Sequence, residues 1–338
     1  MSKFDIYSLG NALVDLEFEV TEAQLSTLKV GKSLMTLIDE ERHHQLIDDL
    51  DGFKHAKACG GSGANSIAAA QVLGATTYFT CRVGNDITGN FFYEDFHSKG
   101  VETNLKAEGR PDAITGKCIV MLTPDAERSM CTFLGIADQY TDEDIDQDAL
   151  LNSKFLYAEG YASTSEPSRK AVVKALKIAR NNNIKTSLSL SDPNIVMHFR
   201  EELLEMMNGK VDIIFSNRDE ALLFCQTDDI DEALETMKQY ANTFAVTLGK
   251  NGSVAYDGKE MHYSHRYKTT PISTLGAGDT FAGAFLYALS KGQSYKEANE
   301  IANVAGGVIV SKFGPRINEE DAALILSTAK ERQETQAT

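Results

Sequence analysis

The chain is expected to adopt an α/β fold built on a mostly parallel sheet with helices on both faces. Short apolar runs rich in β-branched and aromatic residues alternate along it with longer stretches of helical periodicity. With 338 residues and 42% hydrophobic content, the chain can fill the core that such a sheet requires. Candidate strands are Phe4 to Leu9, Thr76 to Cys81, Lys154 to Ala158, Lys185 to Leu190, Val211 to Phe215 and Thr243 to Leu248. Helices are expected over Ser62 to Leu73, Arg169 to Arg180 and Ala277 to Leu289.

Two stretches break this rhythm. Lys117 to Thr123 and Arg128 to Leu134 are apolar-rich runs around Pro124-Asp125-Ala126-Glu127, a string suited to a hairpin turn. With the run Leu13 to Val20 they predict a small β-sheet, either a lid or a plain β-excursion packed on the main domain. The expected organisation is one domain over residues 1–332, with the small sheet drawn from about 13–38 and 113–137. The polar residues 333–338 have no apolar anchor and predict a frayed tail.

Charge narrows the function. A net charge of −16 repels nucleic-acid phosphates and anionic membranes, so an anionic ligand must be held by local donors. The five cysteines are scattered without a C-x-x-C pair, which fits reduced thiols rather than a zinc site. No stretch approaches the length of a membrane span, and Met1 to Gly10 has no basic flank. A soluble, cytoplasmic protein is expected, binding neither nucleic acid nor membrane and acting as a monomer or homodimer.

The segment Ser273 to Phe285 places Gly276, Ala277, Gly278 and Asp279 at the start of a helical run. Small residues there let backbone N–H groups approach an anion, which the helix dipole also favours. An acid beside such a cradle suits a hydroxyl that must be oriented and relieved of its proton. A bare helix cap with a tight turn is the other reading. Upstream, Asn11 and Asp15 follow the first strand, and Gly60, Gly61 and Asn65 precede a helix. Adjacent hydroxyls call for a carboxylate that accepts twice and an amide that donates and accepts, while glycines admit close backbone approach. Taken singly, these residues also fit an exposed acid and an ordinary turn.

Asn217 and Glu220 lie just beyond a strand end, where open α/β sheets bind ligands, but the same spacing is a helix capping box. Thr247 to Ser253 reads as a strand end and turn, consistent with a hairpin. Gly31-Lys32-Ser33 only imitates a Walker motif, Asn251-Gly252-Ser253 is a glycosylation string in form only, and no G-x-G-x-x-G fingerprint supports a dinucleotide oxidoreductase.

The string Gly276 to Asp279 resembles the second signature of the ribokinase-like (PfkB) kinase family, and Gly60-Gly61-Ser62 with Asn65-Ser66-Ile67 resembles the first. The match extends from about Phe4 to Lys330 and looks closest to the adenosine-kinase-like branch. It implies a ribokinase-like three-layer fold with a small β-sheet lid. It further implies ATP-dependent transfer of the γ-phosphoryl group to a primary alcohol, best the 5′-hydroxyl of adenosine or a related ribonucleoside. A sugar kinase is the alternative, favoured by the string Asp192-Pro193-Asn194, and a catalytically silent sensor the remoter one.

On this resemblance Asp279 activates the acceptor, and the amides after Gly276 form an anion hole through Ala277 and Gly278. Asn11, Asp15, Gly60, Gly61 and Asn65 bind the acceptor, with Leu13, Leu134 and Tyr161 around the base. Arg128 is either a phosphate clamp or a hairpin surface charge. Asn217 and Glu220 serve Mg²⁺ through water, and Thr247, Gly249, Gly252, Asn303 and Gly314 serve ATP. Ser273 stands where many members carry aspartate, which leaves the family's monovalent-cation (K⁺) site open.

Overall fold

A computed structural model describes residues 2–32, 34–53, 55–125 and 127–337. Ala126 of the expected turn, Ser33 and Thr338 lie outside these residues. In chain order the strands are β1 (Phe4–Leu9), β2 (Leu13–Glu19), β3 (Met35–Leu37), β4 (His55–Gly60), β5 (Thr77–Thr80), β6 (Glu102–Thr103) and β7 (Gly116–Leu122). They continue as β8 (Arg128–Phe133), β9 (Ser153–Glu159), β10 (Lys185–Ser189), β11 (Val211–Asn217), β12 (Ala241–Thr247), β13 (Ser253–Tyr256) and β14 (Met261–Ser264).

The large sheet runs β14-β13-β12-β11-β10-β9-β1-β5-β6. It is parallel from β12 to β6, and β13 and β14 add an antiparallel edge. Its central strands are apolar because both faces are covered, and β1 is buried along its whole length. Ile6, Phe79, Tyr157, Ile213 and Phe215 pack with helices Ser62–Val72, Ala277–Ser290 and Tyr295–Ile309. Alternate residues, among them Tyr7, Leu156, Leu188 and Ile214, pack with helices Glu166–Asn181 and Pro193–Met207 on the other face. Three layers result, and the carboxyl ends of the parallel strands meet along one edge. Phe285 is fully buried, with ring centroids 5.5 Å from both Phe215 and Tyr295. Phe285→Ala is expected to lower stability by about 3–5 kcal/mol, read from urea-unfolding midpoints.

The second sheet runs β3-β8-β7-β2-β4. Strand β4 was not expected, because its His-Ala-Lys-Ala-Cys-Gly string has no apolar run; it pairs antiparallel with β2. The period of two divides the sheet cleanly. Phe18, Ile119, Met121 and Cys131 pack on Leu25 and Leu46 of helices Glu22–Thr27 and Glu40–Asp49. Leu13, Asp15, Val120, Met130 and Thr132 face a cleft above the edge of the large sheet.

Helix Glu319–Ala337 continues through the segment predicted to fray. Polar anchors replace the missing apolar ones: Arg332 Nε lies 2.6 Å from Glu300 Oε1, and Gln333 Nε2 donates to the Glu297 carbonyl at 3.4 Å. Among the described residues no helix is long and apolar enough to cross a membrane.

Candidate active site

The cleft between the two sheets has a volume of about 810 Å³, and Asp279 lines it. Gly276 caps helix Ala277–Ser290 with φ +73°, and a Cβ there would sit 2.5 Å from the Pro315 carbonyl oxygen. The first helical bond is Thr280 N–H to the Gly276 carbonyl at 2.8 Å. The Ala277, Gly278 and Asp279 amides therefore precede the helical ladder. Ala277 N–H already donates to the Thr274 carbonyl at 3.2 Å, so the open donors are those of Gly278 and Asp279.

The Asp279 carboxylate does not act as a bare cap. It accepts from Ser62 Oγ at 2.6 Å and from Asn65 Nδ2 at 3.1 Å, both on helix Ser62–Val72. Enclosure by protein pushes its pKa up to about 6, against the opposing pull of Ser62, Asn65 and the Arg316 guanidinium. The side chain nonetheless keeps partial access to the cleft.

Asp15 is buried and draws on no hydrogen bond among the described residues; burial raises its pKa to about 7, with Arg316 and Arg128 opposing and Glu17 and Asp279 adding to the rise. Asn11 Oδ1 is also buried with no partner among the described residues. Both residues line the cleft, and neither acceptor has a donor among the described residues. Gly60 is needed beside them, since a Cβ would lie 2.3 Å from Asp15 Oδ1. At Gly61, φ is +95° and a Cβ would lie 2.1 Å from the Asn11 carbonyl oxygen.

Glu159 at the end of β9 was not anticipated. It is fully buried, accepts from Asn11 N–H at 2.7 Å and Gly63 N–H at 2.5 Å, and has its pKa raised by burial to about 7. It ties the loop after β1 to the start of helix Ser62–Val72. A lone acid closing the apolar run Phe155-Leu156-Tyr157-Ala158 was its signal. Ser62 stood inside a quoted glycine string, whereas Arg316 had no local motif.

Asn217 and Glu220 line the cleft and form a capping box on helix Arg218–Cys225: Asn217 Oδ1 accepts from Glu220 N–H at 2.8 Å, and Asn217 Nδ2 donates to Glu220 Oε1 at 2.6 Å. Burial raises the Glu220 carboxyl to about 7, and the charges of Asp192 and Asp279 push the same way. Asn217 and Glu220 together offer oxygen donors that could take a divalent ion through its water shell.

Arg128 on β8 reaches across the cleft, and its Nη1 donates to Ser273 Oγ, so it is not a free surface charge. Leu13, Leu134 and Tyr161 line the same cleft. Thr247 lines it from the end of β12. Gly249, Gly252, Asn303 and Gly314 are set back from it. Gly252, at φ +93°, turns β12 into β13, and its Cβ would lie 2.0 Å from the Ser264 carbonyl oxygen. Asn303 is engaged structurally, donating to Ser253 Oγ at 2.8 Å and accepting from Tyr267 N–H at 3.1 Å. Gly249 and Gly314 have positive φ and open space around their Cα.

Known proteins share this fold. A probable sugar kinase from Rhizobium etli CFN 42 has 32% sequence identity, a TM-score of 0.89 and coverage of 97% of this chain and 100% of its own. The adenosine kinase from Sinorhizobium meliloti has 32% identity and a TM-score of 0.88, with the same coverage of both chains. A 5-dehydro-2-deoxygluconokinase from Halalkalibacterium halodurans is 26% identical over 319 residues, covering 90% of this chain and 96% of its own. The pfkB family carbohydrate kinase profile matches residues 24–322. With the profile spanning most of its length and the fold matched nearly end to end, this chain belongs to the pfkB carbohydrate kinase family and is a kinase.

Proposed function

We propose that the protein transfers the γ-phosphoryl group of ATP to a primary alcohol, best the 5′-hydroxyl of adenosine or a related ribonucleoside. The observation that carries this reading is the juxtaposition at Asp279. A carboxylate with raised proton affinity stands beside two open amides, opposite the unpartnered acceptors Asp15 and Asn11.

Asp279 orients the acceptor hydroxyl and takes its proton as the new P–O bond forms and the bond to ADP breaks. A loose transition state needs no strong base. The Gly278 and Asp279 amides stabilise negative charge on the transferring group. Mg²⁺·ATP supplies the phosphoryl group together with charge neutralisation. Asn217 and Glu220 would hold the ion through water, and Thr247 would border the nucleotide, with Gly249, Gly252, Asn303 and Gly314 shaping the loops behind. Asp15 and Asn11 accept from adjacent hydroxyls of the substrate, and Asn65, Gly60 and Gly61 complete that side. The small sheet acts as a lid that excludes water, with Arg128 as its cationic contact.

Leu13, Leu134 and Tyr161 give the acceptor end an apolar, partly aromatic wall that suits a flat base. The Sinorhizobium adenosine kinase supports the same choice. The curated relatives named 5-dehydro-2-deoxygluconokinase favour a sugar acceptor instead. A phosphorylation screen with Mg²⁺·ATP decides between them, pairing adenosine, inosine and guanosine with ribose, fructose, 2-keto-3-deoxygluconate and 5-dehydro-2-deoxygluconate. The expected result is the highest kcat/KM for adenosine. Preference for a free sugar or sugar acid would overturn the nucleoside assignment.

A further inference from the structure

We propose that Arg316 is a positioning residue for phosphoryl transfer: it fixes the amide of Asn65 so that its nitrogen faces Asp279, and it sets the charge balance of the acceptor side. This rests on the reading of Asp279 as the base. Arg316 follows Pro315, whose carbonyl packs against Gly276 at the start of the Asp279 helix. Its Nε donates to Asn65 Oδ1 at 3.0 Å. A guanidinium can only donate, so Asn65 must turn its oxygen to Arg316 and its nitrogen to Asp279 Oδ2, 3.1 Å away. With Ser62 Oγ on the other oxygen at 2.6 Å, the plane of the Asp279 carboxylate is held from two sides.

Arg316 is itself held firmly. Its Nη1 donates to Asp95 Oδ2 at 2.8 Å, its guanidinium lies 4.9 Å from the Phe96 ring centroid, and its side chain is 11% exposed. Lys99 Nζ occupies the other Asp95 oxygen at 2.7 Å. Arg316 is not among the residues lining the cleft, so it acts through Asn65 and through its field. That field falls on Asp15 and Asp279, where it counters the burial that favours their protonated forms. Asp15 also feels Glu17 and Arg128, while Asp279 stands near Asp15, Glu159, Glu220 and the Tyr157 hydroxyl. Arg316 is the cation whose charge reaches both carboxylates and which also touches the amide between them and the helix.

The test compares Arg316→Gln, which keeps a donor but loses the charge, with Arg316→Lys, which keeps the charge but loses the planar fork. Full kcat and kcat/KM profiles against pH are measured with the acceptor that the screen selects. Arg316→Gln is expected to move the acid limb of kcat/KM upward by about one pH unit. Arg316→Lys should leave the limb in place while kcat falls about ten-fold, because a single ammonium cannot hold Asn65 Oδ1 and Asp95 Oδ2 together as the planar fork does, and Asn65 is then fixed less tightly. A merely structural arginine would change the melting temperature and leave the limb where it was. An unmoved limb in folded Arg316→Gln overturns the proposal. Should that variant fail to fold, an unchanged kcat in Arg316→Lys overturns it instead. Asp279→Asn, assayed in parallel, separates the two failures: if it stays active the base assignment falls, and if it is inactive while both Arg316 variants behave as the parent, only the positioning role falls.

Discussion

Asp279→Asn is expected to lower kcat by about 10² to 10⁴ while leaving both KM values near those of the parent, measured by steady-state kinetics and by calorimetric titration of each ligand. The substitution is isosteric and the site can absorb it. Asn65 is held by Arg316 and keeps its nitrogen toward position 279, so the new amide must turn its oxygen that way. Its nitrogen then meets Ser62 Oγ, a hydroxyl free to rotate and accept. The fold and the open amides survive, and the proton acceptor is lost. The parent should show an acid limb in kcat/KM near pH 6, since Asp279, with its pKa raised to about 6, must be ionised to take the proton. Activity therefore falls as pH drops through that value. Asp15, raised to about 7, starts that fall at a higher pH, because its protonated form loses an acceptor lone pair, and the limb steepens as Asp279 protonates below it. The residual activity of Asp279→Asn should lack the Asp279 component of the limb. Near-normal turnover in a folded variant would remove the base assignment.

The parts legible in the sequence are those whose cause is local. Phe4–Leu9 reads as a strand and is one, because burial on both faces of a parallel sheet demands a continuous apolar run. Helix Ala277–Ser290 begins where its glycine turn predicts, since only a residue that tolerates positive φ fits against Pro315. Strand β4 was not legible: as an edge strand it draws its pairing from β2, and five of its six residues are polar or small. The site divides in the same way. Asp279, Asn65 and Asp15 stand in short strings with recognisable chemistry, but what orients them does not. Ser62 and Asp279 are 217 residues apart, and Arg316 and Asn65 are 251 apart. Such contacts are set by how helices cross the sheet, which no window of sequence encodes. Asn217 and Glu220 show the opposite limit, for their local geometry is a helix cap whichever ligand the cleft takes.

Asp15→Ala is expected to lower kcat/KM for the acceptor by about 10² or more with little change in the KM for ATP. The expectation follows from a carboxylate that is buried yet has no hydrogen bond among the described residues. A native chain tolerates that cost where a ligand completes the set, and Asn11 Oδ1 has the same deficit in the same cleft. Two hydroxyl donors of one substrate would satisfy both. The prediction is specific because it can be read from the substrate as well. An acceptor analogue lacking one of the paired hydroxyls, 2′-deoxyadenosine for a nucleoside, should lose kcat/KM strongly with the parent and much less with Asp15→Ala. Gly60→Ala is a second probe of the same contact, since its methyl group would lie 2.3 Å from Asp15 Oδ1 and displace the carboxylate. If the deoxy analogue loses as much with Asp15→Ala as with the parent, the hydroxyl is recognised by other groups, and the pairing of Asp15 with the acceptor is wrong whichever metabolite the screen selects.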